Sequence, residues 1–165
     1  MSDKRTETCC CTGHRDIPYG LETQLKSVLQ EQVGLLLSKG VIYYGVGGAV
    51  GFDTLAAEAL FELRTEYPQI KVILVYPFSG FDSRWQKEQR ERYRVLLPKY
   101  DKLVCVSRTP GREAYLMRDR HLVDCSAHCI AFCSRSYGGT AYTVRYAQEH
   151  GCQIYNLAER IVGQK

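Results

Sequence analysis

Between residues 41 and 60 an apolar run, a turn crowded with glycine and an apolar-periodic segment follow one another without a break: Val41-Ile-Tyr-Tyr-Gly45-Val-Gly47-Gly48-Ala-Val-Gly51-Phe52-Asp53, then Thr54-Leu-Ala-Ala-Glu-Ala-Leu60. A strand that opens through a tight turn onto a helix admits few folds. Glycine lets the backbone take positive φ and lets a ligand come close without meeting a Cβ. The first helical turn adds free N–H groups and the positive end of the helix dipole, a setting that favours an anion. The stretch therefore predicts a phosphate-bearing small molecule held over the ends of strands.

The same unit recurs along the chain. Apolar, β-prone segments at 6–11, 41–44, 71–76, 103–106, 129–133 and 153–157 alternate with helical patterns at 21–37, 52–63, 84–97, 113–126 and 141–149. Gly40 and Pro68 close the first two helices, and Asp82 or Ser83 is placed to cap the third. The near-continuous apolar run 71–76 reads as a strand covered on both faces. Alternating strands and helices give right-handed βαβ units. The expected fold is α/β: a Rossmann-like three-layer α/β/α sandwich with a mostly parallel sheet of five to six strands, one domain over residues 1–165. In such sheets ligands bind beyond the carboxyl ends of the strands, where the winding reverses. The loops at 12–15, 45–53 and 134–140 lie there.

Hydrophobic residues make up 45% of the chain and charged residues 24%, as in soluble globular proteins. The net charge of +4 suits an anionic ligand and gives little support to a nucleic acid. The opening Met1-Ser-Asp-Lys-Arg-Thr-Glu is polar, with no signal-peptide h-region after it. No apolar run nears the roughly 20 residues that span a bilayer. A cytoplasmic protein without a membrane partner is expected. Of the eight cysteines, Cys9, Cys10, Cys11, Cys105, Cys129 and Cys133 fall in segments read as buried strands, where a free thiol acts as a small hydrophobe. The spacing of Cys125, Cys129 and Cys133 fits no zinc or iron–sulfur pattern, so neither metal nor disulfide is expected.

Gly45-x-Gly47-x-x-x-Gly51 is a loose form of the dinucleotide fingerprint, but it follows the second strand, and the next strand ends Val75-Tyr76-Pro77 with no acid for a ribose. No G-x-x-x-x-G-K-[ST] is present. Ser136-Tyr-Gly138-Gly139-Thr140 is a second glycine turn before a helix, a small anion nest with a hydroxyl. Arg118 and Arg120, on the helix feeding the fifth strand, are placed to reach the same edge. No Ser–His–Asp set can be assembled and G-x-S-x-G is absent. Acid–base candidates are Asp53, Asp119, Asp124 and Glu58.

Four segments together resemble a known family. Thr12-Gly13-His14-Arg15 follows the first strand, and Gly51-Phe52-Asp53 opens the second helix. Arg118-Asp119-Arg120-His121-Leu122-Val123-Asp124 and Gly138-Gly139-Thr140-Ala141-Tyr142 come later, in the same order. The chain resembles the YpsA-like family of the SLOG superfamily, Rossmann-like domains related to the DNA-processing protein DprA and the LOG cytokinin-activating enzymes. The resemblance implies binding of a nucleotide or nucleotide-derived ligand such as ADP-ribose, an NAD-like molecule or a nucleoside phosphate. LOG phosphoribohydrolases carry P-G-G-x-G-T-x-x-E, whose glutamate helps break the N-glycosidic bond; here Thr140-Ala-Tyr-Thr143 carries no acid. In the YpsA-like pattern the position of Asp119 is commonly Asn.

The expected function is binding of such a ligand as a sensor or regulator, with no cofactor firmly implied. Gly138, Gly139 and Thr140 would hold phosphate, and Arg15, Arg118 and Arg120 would supply charge. Gly13 and His14 would border the ligand. Gly47, Gly48, Gly51 and Phe52 would form a wall at the base or sugar, with Asp53 on a ribose hydroxyl. The alternative is a LOG-type phosphoribohydrolase with Asp53 or Asp124 as the working carboxylate. The third reading, DprA-like single-stranded DNA binding, draws on the arginines of the 84–97 helix. A homodimer is compatible with the sequence.

Overall fold

The computed structural model describes residues 3–161 of the chain, so Met1, Ser2 and residues 162–165 of the expected domain lie outside the described residues. Six strands, β1 (Thr8–Gly13), β2 (Tyr43–Val46), β3 (Lys71–Tyr76), β4 (Lys102–Cys105), β5 (His128–Phe132) and β6 (Gln153–Asn156), alternate with five helices, α1 (Glu22–Leu37), α2 (Phe52–Arg64), α3 (Lys87–Leu96), α4 (Arg112–Asp124) and α5 (Gly139–Glu149). All strand pairs are parallel, in the order β4-β3-β2-β1-β5-β6. This is the expected Rossmann-like α/β fold. The chain steps outward from β1 to β4 and then crosses back to lay β5 against the other side of β1. The winding therefore reverses between β1 and β5.

Two apolar layers sandwich the sheet. On one face α1 packs on α2 and α2 on α3. Leu25, Leu29, Val33, Leu36, Phe52, Ala56 and Leu60 fill that layer. On the other face α4 packs on α5, over Val75, Leu122, Val123, Ala131 and Ala147. Successive β1 side chains alternate between the layers, as a pleat requires: Cys9 and Cys11 enter the first, while Cys10 joins Cys129 and Cys152 in the second. All eight cysteines are free thiols, and burial pushes the Cys152 thiol up to about 11. Among the described residues no group of three His, Cys, Asp or Glu side chains is placed to hold a metal. No described helix is long and apolar enough to cross a membrane.

Several boundaries move. β1 and β2 each end two residues later than expected, taking in Thr12-Gly13 and Gly45-Val46. Both strands lie inside the sheet, and their ladders reach these glycines: Gly13 is in register with Phe132, and Gly45 with Cys10 and Ile73. Backbone pairing, with β5 for Gly13 and on both sides for Gly45, outweighs the weak strand preference of glycine. α3 starts only at Lys87, without a side-chain cap, because Asp82 is turned to Arg90 and Arg94. Cys105 is exposed and Cys133 only half-buried, contrary to expectation. Cys105 ends the edge strand β4, which the helices cover poorly, and Cys133 lies just past the end of β5.

Candidate functional site

A cavity of about 690 Å³ opens over the carboxyl ends of β1 and β5, where the winding reverses. Its walls come from the end of β1 and the loop after it (Cys11 to Asp16), the start of α2 (Asp53), one face of α4, and the loop and first turns before and within α5. Three helices thus begin at its rim, each turning its N-terminal N–H groups towards this end of the sheet.

Asp53 lies in the first turn of α2 and is only 7% exposed. Its Oδ2 accepts the Ala49 N–H at 3.1 Å. Oδ1 has no hydrogen-bond partner among the described residues, and the side chain lines the cavity. Burial raises the Asp53 carboxyl to about 6, against the opposing pull of the Arg118 guanidinium and the Ala49 N–H. Desolvation is the largest effect, so the cavity floor holds a carboxyl poised between its neutral and charged forms near physiological pH.

Arg118 projects from the middle of α4 and is 6% exposed. Its Nε donates to Asp119 Oδ1 at 2.7 Å and its Nη1 to the Gly47 carbonyl. Its guanidinium lies 5.7 Å from the centre of the Tyr115 ring, which the Arg15 guanidinium approaches at 5.6 Å. One tyrosine therefore holds two cations beside the cavity. Arg112 and Arg145 add positive charge to the wall with no acid partner among the described residues, and Arg135 is paired with Asp16 at 3.0 Å.

His14 serves the frame as well as the wall. Its backbone N–H donates to Phe132 O at 3.3 Å and its carbonyl accepts the Phe52 N–H at 3.0 Å. Ring Nε2 accepts the Ser134 N–H at 2.9 Å, which puts the proton of the neutral ring on Nδ1. Burial, helped by Arg135, lowers the His14 pKa and keeps the ring neutral. One side chain thus ties β1 to the loop leading into α5.

At that loop's end, Gly138 precedes α5, whose first residues are Gly139 and Thr140. A Cβ added at Gly139 would meet nothing within 4 Å, so the backbone faces open space. Thr143 Oγ1 turns back to the Gly139 carbonyl at 2.9 Å.

Of the residues expected at the site, Gly13, His14, Arg15, Asp53, Arg118, Gly138, Gly139 and Thr140 line the cavity together. Gly47, Gly48, Gly51 and Phe52 do not line it, which corrects the wall expected there. Phe52 is fully buried and stacks on Phe132. A Cβ at Gly47 would lie 2.7 Å from Arg118 Nη1 and 2.8 Å from Asp53 Oδ2, so this glycine admits the two charged groups. Gly51 takes φ 80° and packs against the Arg15 backbone, where any Cβ would collide with the carbonyl. Arg120 also lies off the cavity, because α4 turns it outward to Glu113 and the Tyr142 hydroxyl. Asp124 accepts the Tyr146 O–H at 2.8 Å on the same outer side, and Glu58 is tied to Arg92. Arg112, Tyr115, Arg135, Tyr137 and Arg145 were missed as wall residues. Helical spacing back from Arg118 and Asp119 would have found Tyr115 and Arg112 on the same face.

Family comparison bears on the whole arrangement. The model of the YspA SLOG family matches residues 19–159. The chain belongs to the YspA SLOG family. That match begins after Gly13, His14 and Arg15, and takes in Asp53, Arg118 and residues 138–140. Among relatives of this SLOG chain, a UPF0398 protein of Enterococcus faecalis is 29% identical over 86% of this chain and 84% of its own length. One of Bacillus pumilus is 24% identical over 84% of this chain and 80% of its own. Among solved structures, DNA processing protein A from Helicobacter pylori, described for its single-stranded DNA binding mode, superposes with a TM-score of 0.62 at 18% identity. The likeness covers 91% of this chain and 64% of that one. The Streptococcus pneumoniae protein superposes with the same TM-score, over 93% of this chain and 51% of its own. At this identity the likeness is one of fold, and the SLOG chain spans about half to two thirds of those proteins' length.

Proposed function

We propose that the cavity binds a nucleotide-derived phosphate ligand and that the protein acts as a sensor or regulator of it. The observation that carries this reading is the open N-terminus of α5 at residues 138–140, facing a cavity whose floor holds the buried, half-free carboxyl of Asp53. Backbone N–H groups of Gly139 and Thr140 would hold phosphate oxygens. Arg15, Arg112 and Arg145 would balance the charge, and Asp53 Oδ1 would accept a ribose hydroxyl. Family membership agrees with a ligand of this kind.

The test is calorimetry and thermal unfolding with AMP, ADP-ribose and NAD on the wild type and on Gly139→Val. The added side chain enters open space, so the fold survives while the cradle is blocked. Binding that Gly139→Val abolishes supports the reading. Equal binding by both proteins would sink it.

A second reading has one observation in its favour. A carboxyl titrating near 6 with one free oxygen in a cavity is placed for general acid–base work, here hydrolysis of a nucleoside-phosphate N-glycosidic bond. Asp53 would be the working residue; Asp124, outside the cavity, would not. Ribose 5-phosphate released from AMP above the level given by Asp53→Asn would establish it. The DNA-binding reading has less support, since Arg90, Arg92 and Arg94 of α3 are each paired with an acid.

A further inference from the structure

Three tyrosines stand on the cavity wall, Tyr115, Tyr137 and Tyr142. Two are already engaged. Tyr115 lies against the guanidiniums of Arg15 and Arg118 and meets Phe78 edge-on at 5.6 Å. Tyr142 stacks with Tyr146 at 6.3 Å, and its hydroxyl accepts from Arg120.

Tyr137 differs. It is 68% exposed, at the rim, immediately before Gly138. Among the described residues the group over its ring is Arg135, whose guanidinium lies 5.8 Å from the ring centre. Arg135 is itself held, donating to Asp16 Oδ1 at 3.0 Å across the mouth. The guanidinium thus steadies one side of the ring and leaves the other to solvent. A large aromatic surface left bare beside an anion cradle is what a flat, apolar ligand group would cover.

We propose that Tyr137, backed by Arg135, is the stacking platform for the ligand's base, so that the site selects nucleotides over sugar phosphates that lack one. The proposal rests on the phosphate reading of residues 138–140 and deepens it. In a 5′-nucleotide a single sugar separates base from phosphate, which suits a platform adjoining the cradle. Stacking tolerates every base, because each has a π-face. The platform therefore sets the class of ligand, and purines with their larger rings gain most.

The experiment measures AMP and ribose 5-phosphate by calorimetry on the wild type, Tyr137→Ala, Tyr137→Phe and Gly139→Val, with thermal midpoints confirming that each is folded. Expected is an AMP affinity about tenfold above that of ribose 5-phosphate. Tyr137→Ala should bring AMP down to the ribose 5-phosphate level, and Tyr137→Phe should restore it. If ribose 5-phosphate binds in a Gly139-dependent way but AMP gains nothing, or if Tyr137→Ala binds AMP as the wild type does, the stacking platform is refuted and the phosphate cradle stands. If neither ligand binds the wild type, both fall together.

Discussion

The two glycine turns, 45–53 and 134–140, look alike in sequence and do different work. Around the first, the space a side chain would take is already filled: Arg118 and Asp53 crowd Gly47, Leu74 crowds Gly48, and the Arg15 backbone crowds Gly51. Around the second, Gly138 and Gly139 face nothing within 4 Å. The first turn uses glycine to let the protein's own groups close in, and the second leaves its backbone open at the cavity. A glycine motif says that a backbone must be approached; only the neighbours say by what.

Substitutions should separate the turns most sharply through stability. Gly51→Ala forces a Cβ into positive-φ backbone against the Arg15 carbonyl. It should lower unfolding free energy by about 3 kcal/mol or more in urea titrations. A loss under about 1 kcal/mol would mean the first turn can yield.

Next in size is the pH dependence of Asp53, the polar product of that crowded turn. Its carboxyl rises from 3.8 to about 6 on folding. The folded state therefore holds the proton more tightly. The stability it contributes is complete below pH 4 and is lost as pH rises through 6, on the order of 3 kcal/mol. Asp53→Asn should remove this slope and unfold at higher urea than the wild type at pH 7.5. Identical pH profiles would show that Asp53 is not the buried acid described.

Gly139→Val at the open turn should change stability by no more than about 1 kcal/mol yet weaken AMP or ADP-ribose binding at least about tenfold. A large loss of stability with intact binding would erase the contrast between the turns. The smallest effect belongs to Asp16→Asn. It frees an exposed Arg135, should leave the urea midpoint unmoved, and should weaken AMP binding about twofold through a less steady Tyr137.

Most of the fold was legible because strand and helix periods alternate cleanly along the chain, and residues 71–76 read as a covered strand, which β3 is at Val72, Leu74 and Val75 although Lys71 is exposed. The strand ends were not, since Gly13 and Gly45 look like turn residues until β5 draws in the first and β1 and β3 draw in the second. At the site, Asp53, Arg118 and residues 138–140 could be named from local motifs. Helical spacing puts Arg118 and Arg120 on different faces of α4, so only one could line the cavity, and which one is set by how α4 packs on the sheet. Phe52 looked like a ligand wall because it follows a glycine turn, although its ring is spent on the core. Tyr115 lies in no motif, and Tyr137 stands inside the second glycine turn as a residue the motif does not require. Their roles come from neighbours such as Arg15 and Arg118, or Arg135, that only the folded chain brings near.

The reversed winding has a consequence for how the molecule is made. The β1 to β4 half grows by pairing each strand with the one just before it in the chain, but β1 meets β5 only after a separation of more than a hundred residues. As the chain leaves the ribosome, one edge of β1 stays open until residues 128–132 emerge, and the cavity has no second wall before then. The cavity is therefore closed late, once β5 and the first turns of α5 have joined β1, although β6 has still to be added at the edge.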